Sequence, residues 1–121
     1  MDLLKGATVA VMAMAQDWMV GDDLIHLYYA MPYNQRQRGD CVFILHPETM
    51  ALIISIKTGD GRYVYGDLSE MPPITLLGCP VREDETMPRV GPGARSVLFV
   101  DYGCTGGERP VAPVLCLEHP E

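Results

Sequence analysis

The segment Cys41–Leu45 constrains this chain more than any other, because five consecutive apolar residues (C-V-F-I-L) run straight into His46-Pro47-Glu48. An apolar run this short, without alternation, fits a strand buried on both faces. Proline suits the first helical position, where its missing N–H costs nothing, and an acid in the first turn suits the helix dipole. The pattern therefore predicts a strand followed directly by a helix through Met50, Ile53, Ile54 and Lys57, ending at Gly59.

The flanking segments alternate in the same way. Residues 2–19 are good helix formers, with Leu3, Leu4, Val11, Met12, Ala15 and Trp18 able to share a broad apolar face, so residues 1–21 are expected to form a helical lead-in. Met1–Ala15 also has the outline of a weak signal peptide, but Asp2 cancels Lys5 and the apolar stretch is short, which favours the lead-in. Asp22 is a natural N-cap for a second helix carrying Leu24, Ile25, Leu27, Tyr28 and Met31, stopped by Pro32. The polar stretch Tyr33–Asp40 reads as a connector with a turn at Gly39. Beyond Gly59-Asp60-Gly61, a short strand is expected at Arg62–Tyr65, then a rigid link at Met71-Pro72-Pro73. Ile74–Val81 reads as a strand interrupted at Gly78 by a bulge or close backbone approach, with Pro80 marking an edge or bend. After a turn at Gly91-Pro92-Gly93 comes a strand at Ser96–Tyr102, and from Gly103 a Gly- and Pro-rich, irregular tail to Glu121. The expected fold class is α+β: a small mixed or antiparallel sheet of about four strands with two main helices packed on it. Leu27, Val42, Ile44, Ile53, Leu77, Val97 and Phe99 are its expected core.

Composition narrows the function classes. A length of 121 residues suits a single core, and 48% hydrophobic residues argue against wholesale disorder. A net charge of -7 argues against a phosphate-gripping surface, so no nucleic-acid partner is expected. Without an apolar run near the ~20 residues a span needs, no membrane partner is expected either. Cys41, Cys79, Cys104 and Cys116 are irregularly spaced, with no C-x-x-C pair to deliver two thiolates to one zinc tetrahedron, and are expected to be reduced and structural.

Chemistry is sparse. His26, His46 and His119 have no nucleophile at a recognisable spacing; His46 is placed to cap or adjoin a helix start, and His119 falls in the tail. Neither a G-x-S-x-G elbow nor a phosphate-binding loop is present, and Thr58-Gly59-Asp60-Gly61-Arg62 lacks the Lys and Ser/Thr that would make it one. Asp22 and Asp23 are explained by the helix dipole, Arg38-Gly39-Asp40 by its place before a buried strand, and Glu83-Asp84-Glu85 by a solvated loop. Tyr28, Tyr29, Tyr33, Tyr63 and Tyr65 supply aromatic surface without the basic interleaving of a nucleic-acid platform. No catalytic, cofactor-binding or metal-binding residues are expected, and no enzymatic activity.

An ordered set of segments is more specific than any single motif. Asp22-Asp23-Leu24-Ile25 leads into Leu27-Tyr28-Tyr29-Ala30-Met31-Pro32; then come the apolar strand, His46-Pro47-Glu48-Thr49, and Lys57-Thr58-Gly59-Asp60-Gly61-Arg62-Tyr63. Thr75-Leu76-Leu77-Gly78-Cys79-Pro80-Val81, Met87-Pro88 and Val97-Leu98-Phe99-Val100-Asp101-Tyr102 follow. Over residues 22–102 this order resembles the major capsid protein family of tailed phages, with its Hong Kong 97-type fold, and in particular the axial domain. The resemblance implies a non-enzymatic structural protein acting through self-association, since axial domains of neighbouring subunits gather around the shell's fivefold and sixfold axes. The family's arm, extended loop and spine helix have no counterpart in residues 1–21, and residues 103–121 look divergent, so a truncated capsid fragment of phage or prophage origin is implied. Its partners would be copies of itself in a pentamer- or hexamer-like oligomer, or a related capsid protein, in the virion or the host cytoplasm. The alternative is an interaction module that binds or interferes with phage capsid assembly.

Overall fold

The computed structural model describes residues 2–16, 18, 21–56, 60–61, 75–103 and 110–121. The predicted strand and helix form as expected: β2 spans Cys41–Leu45 and α4 spans Pro47–Ile54. His46 caps α4, its Nδ1 accepting the Glu48 backbone N–H at 2.9 Å, with Pro47 in the first turn. The helix is shorter than expected: it ends at Ile54 with Ser55 as its C-cap, so it does not run on through Lys57 to Gly59. The strand expected at Arg62–Tyr65 and the Met71-Pro72-Pro73 link lie outside the described residues.

The two chain ends are the main corrections. Residues 2–19 are not one helix. A single turn, α1 (Asp2–Lys5), gives way at Gly6 to strand β1 (Thr8–Met12), and Trp18 is exposed. Thr8, Val9 and Val11 are β-branched and lose side-chain freedom in a helix, so a partner strand is enough to decide for β. That partner is β6 (Val111–Glu118), inside the stretch expected to be irregular. Helix α2 (Gly21–Ala30) lies where the second helix was expected, but it starts at Gly21 and ends at Ala30, so Asp22 sits inside its first turn and is not its N-cap. Tyr33–Arg38, expected to be a connector, is a short helix α3 closed by Gly39, whose φ of 78° is the left-handed conformation favoured by glycine.

The Gly78 interruption is a hairpin turn, not a bulge. β3 (Thr75–Leu76) and β4 (Cys79–Glu83) pair antiparallel around Leu77 and Gly78, with φ of 52° and 80°. Positive φ at both central residues matches the twist of the strands it joins. It also turns Leu77 out to solvent, so Leu77 is not a core residue. Val42 is half-buried, while Leu27, Ile44, Ile53, Val97 and Phe99 are fully buried as expected.

Among the described residues the sheet has six strands, in the order β1-β6-β5-β2-β4-β3, where β5 is Arg95–Asp101. The architecture is α+β, with two more strands than expected. β5 runs antiparallel to both neighbours, with Phe43 opposite Phe99 and Val97 opposite Leu117; β1–β6 and β2–β4 are parallel. Side chains alternate across the sheet, so β5 serves two cores. Val97 and Phe99 join Phe43, Leu45, Leu115 and Leu117 on the face covered by Leu24 and Leu27 of α2, by Met31 just after it, and by Met50 and Ile53 of α4. Leu98 and Val100 join Ile44 and Cys116 on the opposite face, under Leu3, Leu4 and Met87.

Candidate assembly surface

The most chemically distinctive surface lies at the elbow between α2 and α3. Leu24, Leu27 and Met31 turn inward, which leaves Ile25 and Tyr29, four residues apart on α2, facing out. Tyr29 and Tyr33 are 64% and 68% exposed, large values for aromatic rings held in contact with a cation. The Arg36 guanidinium carbon sits 5.3, 4.7 and 5.6 Å from the centroids of Tyr28, Tyr29 and Tyr33. Tyr28 meets Tyr29 edge-on at 5.1 Å and Phe99 at 5.8 Å, tying the cluster to the core. Arg36 is oriented by donating from Nε to the Met31 carbonyl at 3.0 Å. Tyrosine and arginine carry much of the binding energy in protein interfaces, and here three rings and one cation are already arranged.

Buried polar contacts hold the elbow to the sheet. Asp101, at the end of β5, has no exposed side-chain surface. Its Oδ2 accepts from Gln35 Nε2 at 2.9 Å and from the Arg38 guanidinium, and its Oδ1 accepts the Gly103 N–H at 2.7 Å. Burial pushes the carboxyl pKa up, but the hydrogen bonds from Gln35, Gly103 and Arg38 outweigh it and hold the group below its ordinary value. Gln35 donates in addition to the Ala112 carbonyl at 3.2 Å, so α3 bridges β5 and β6.

β1 is the outermost strand at its edge of the sheet, and Thr8–Met12 contains none of the lysines or prolines that commonly blunt an edge. Val9 and Met12 of β1 are exposed, as are Met14 and Trp18 in the segment after it. The acids Glu83, the last residue of β4, and Glu85, two residues on, are exposed.

The profile of the phage capsid family matches residues 4–109, most of the chain. The chain belongs to the phage capsid family. The fold agrees: the capsid of an empty GTA particle, computed with C5 symmetry, superposes with a TM-score of 0.81 at 20% identity, covering 98% of this chain and 56% of that one. The capsid of the native GTA particle superposes with the same TM-score at 19% identity, covering 98% and 55%. The chain thus spans a little over half the length of these capsid chains. Comparison with curated proteins finds no match. Family and fold make this a capsid-like structural protein, of the class that the ordered segments of residues 22–102 resemble.

The remaining candidate groups of this capsid-family chain have structural surroundings. His26 is exposed on α2, and His46 is spent as the α4 cap. His119, expected in a loose tail, is buried: its Nε2 pairs with Ser96 Oγ at 2.8 Å and its Nδ1 with the Ala15 carbonyl at 2.9 Å. The pair has a serine–histidine geometry, but both residues are sealed in the protein, where it joins β5, the chain end and the segment after β1. An open cleft of about 430 Å³ is lined by His46, Pro47, Glu48, Glu85 and Arg89, and is crossed by an exposed Arg89–Glu48 ion pair at 2.5 Å. Asp22 is exposed and Asp23 buried in the first turn of α2, and Arg38 is committed to Asp101. Tyr63 and Tyr65 lie outside the described residues. Among the described residues no three His, Cys, Asp or Glu side chains are grouped to hold a metal ion, and no helix is long and apolar enough to cross a membrane. Arg36 is the member of the elbow cluster that the sequence does not single out; its spacing of three from Tyr33 pairs the two only on a helix, and Tyr33–Asp40 reads as a connector.

Proposed function

We propose that this chain is the axial-domain portion of a tailed-phage-type major capsid protein and acts by associating with copies of itself around a symmetry axis. The observation that carries the reading is the exposed Tyr29–Tyr33–Arg36 cluster on a chain of the phage capsid family. A ring of identical subunits joins two different patches, one on each flank of every subunit. The elbow presents aromatic rings and a cation, and the exposed acids Glu83 and Glu85 at the end of β4 are charged to complement it on a neighbouring copy. The fivefold symmetry of the GTA capsid particles with the same fold supports a cyclic arrangement. No step of this function requires a catalytic group, a cofactor or nucleic acid.

Light scattering across a concentration series tests the proposal. The protein is expected to form a cyclic oligomer, and Tyr29→Ser with Tyr33→Ser is expected to weaken association by about 2–4 kcal/mol, roughly 30- to 1,000-fold, as two interface hot spots would. A strict monomer at all concentrations refutes self-association. Co-expression with an intact related capsid protein then separates the remaining reading, since a lower particle yield identifies a chain that interferes with assembly.

A further inference from the structure

Two thiols outside the elbow meet by register. Cys41 opens β2 and Cys79 opens β4, parallel strands in which Phe43 stands opposite Val81. Carried back two residues, the same register sets Cys41 opposite Cys79. The period of two places each cysteine on the face of its partner residue, and Cys41, Phe43, Cys79 and Val81 all pack in one core layer. Adjacent strands lie about 4.8 Å apart, inside the ~4.4–6.8 Å Cα separation that a disulfide spans. The β2–β4 pairing begins at Phe43 and Val81, so the Cys41 and Cys79 backbones are not laddered to each other, while each is held by its other neighbour, Cys41 by Asp101 and Cys79 by Leu76. Both thiols are reduced. Cys116 packs in the layer on the opposite face of the sheet and is kept from the pair by the backbone between them.

We propose that Cys41 and Cys79 form a latent cross-strand disulfide site, which a two-electron thiol oxidant closes to staple the β3–β4 hairpin to the centre of the sheet. Two S–H bonds break and one S–S bond forms; the two protons and two electrons pass to the oxidant. With a diazene such as diamide, its N=N bond is reduced to a hydrazine. With a small disulfide, the half-buried Cys79 forms the mixed disulfide and Cys41 displaces the small thiol. Burial, with smaller contributions from Asp101 and Cys79, pushes the Cys41 thiol up to about 12, and burial also raises Cys79. Little thiolate is present at neutral pH, so the pair resists mild oxidation and closes faster in alkali. The Cys41 thiol donates to the Gln35 carbonyl at 3.6 Å, so closure also withdraws a contact from α3.

The test is diamide treatment of the folded wild-type protein at mildly alkaline pH, with a urea-unfolded sample proving the reagent active. Expected are a chain lighter by two hydrogens, a peptide map joining Cys41 to Cys79, loss of iodoacetamide uptake at both when the treated protein is afterwards unfolded in urea and alkylated, and a rise in Tm on the order of 10 °C. Cys79→Ser, checked for folding by circular dichroism, should keep Cys41 alkylatable and show no rise. A folded wild type that keeps both thiols alkylatable, or pairs either one elsewhere, overturns the proposal.

Discussion

Asp101→Asn isolates the contact that fixes the elbow to the sheet. The carboxylate offers two acceptor oxygens to three donors, Gln35 and Arg38 on Oδ2 and Gly103 on Oδ1. An asparagine amide of the same shape offers one oxygen and one NH2, so in either orientation a donor faces a donor. Arg38 is 43% exposed and can turn to water, which spares the full penalty of a stranded cation. The loss is then one or two hydrogen bonds to a charged group, about 2–4 kcal/mol. Urea unfolding of both proteins at neutral pH should show that gap. Its pH dependence follows from the sign of the shift: the folded carboxyl titrates below its unfolded value of about 3.9. Its contribution is therefore complete above that value and is lost as pH falls through the lower folded pKa. Asparagine does not titrate, so the gap between the proteins should close in acid. A gap under about 0.5 kcal/mol at neutral pH, or one unchanged down to the folded pKa, would refute the account.

Ile44→Asp places an unpaired charge in a side chain with no solvent exposure and should abolish the cooperative melt seen by circular dichroism, at a cost of about 5 kcal/mol or more. Leu77→Gly relieves a left-handed side chain at the β3–β4 turn and should raise stability by about 0.5–1 kcal/mol in urea unfolding, the entropy cost of glycine offsetting part of the gain. Deleting residues 104–121 removes β6 from between β1 and β5 and should leave a chain without a dispersed NMR spectrum.

The centre of the fold was readable because local and tertiary preferences agree there. Cys41–Leu45 has a continuous apolar run, Pro47 and Glu48 favour a helix start, and β5 is apolar from Val97 to Val100. The ends were not, because a distant partner overrides their local preference. Thr8–Met12 sits among helix formers and becomes a strand only through β6, while Val114–Leu117 is apolar but embedded in Gly and Pro context. The capsid resemblance was readable because it rests on the order of several segments. The elbow was readable only in its tyrosines. Gln35 has no reason to be buried until Asp101, far along the chain, supplies the acceptor.

Stability and the proposed association are connected through β5. Its two ends carry the two buried polar anchors, Ser96 bonded to His119 and Asp101 bonded to Gln35, Arg38 and Gly103. Unlike apolar packing, which tolerates small slips, each bond works at one distance and direction. One anchor fixes the chain end and the segment after β1; the other fixes α3 and the start of β6 through Gln35 and Ala112. Between them, Phe43 stacks on Phe99 with ring centroids 4.4 Å apart, and Phe99 meets Tyr28 of the elbow. Tyr29 and Tyr33 are thus exposed side chains, and Arg36 a half-buried one, on a backbone held at both helices. Surfaces ordered before they meet lose less conformational entropy on association. A subunit of the proposed ring, repeating one angle around an axis, needs that rigidity more than it needs a large apolar patch, and the buried polar groups of β5 would provide it.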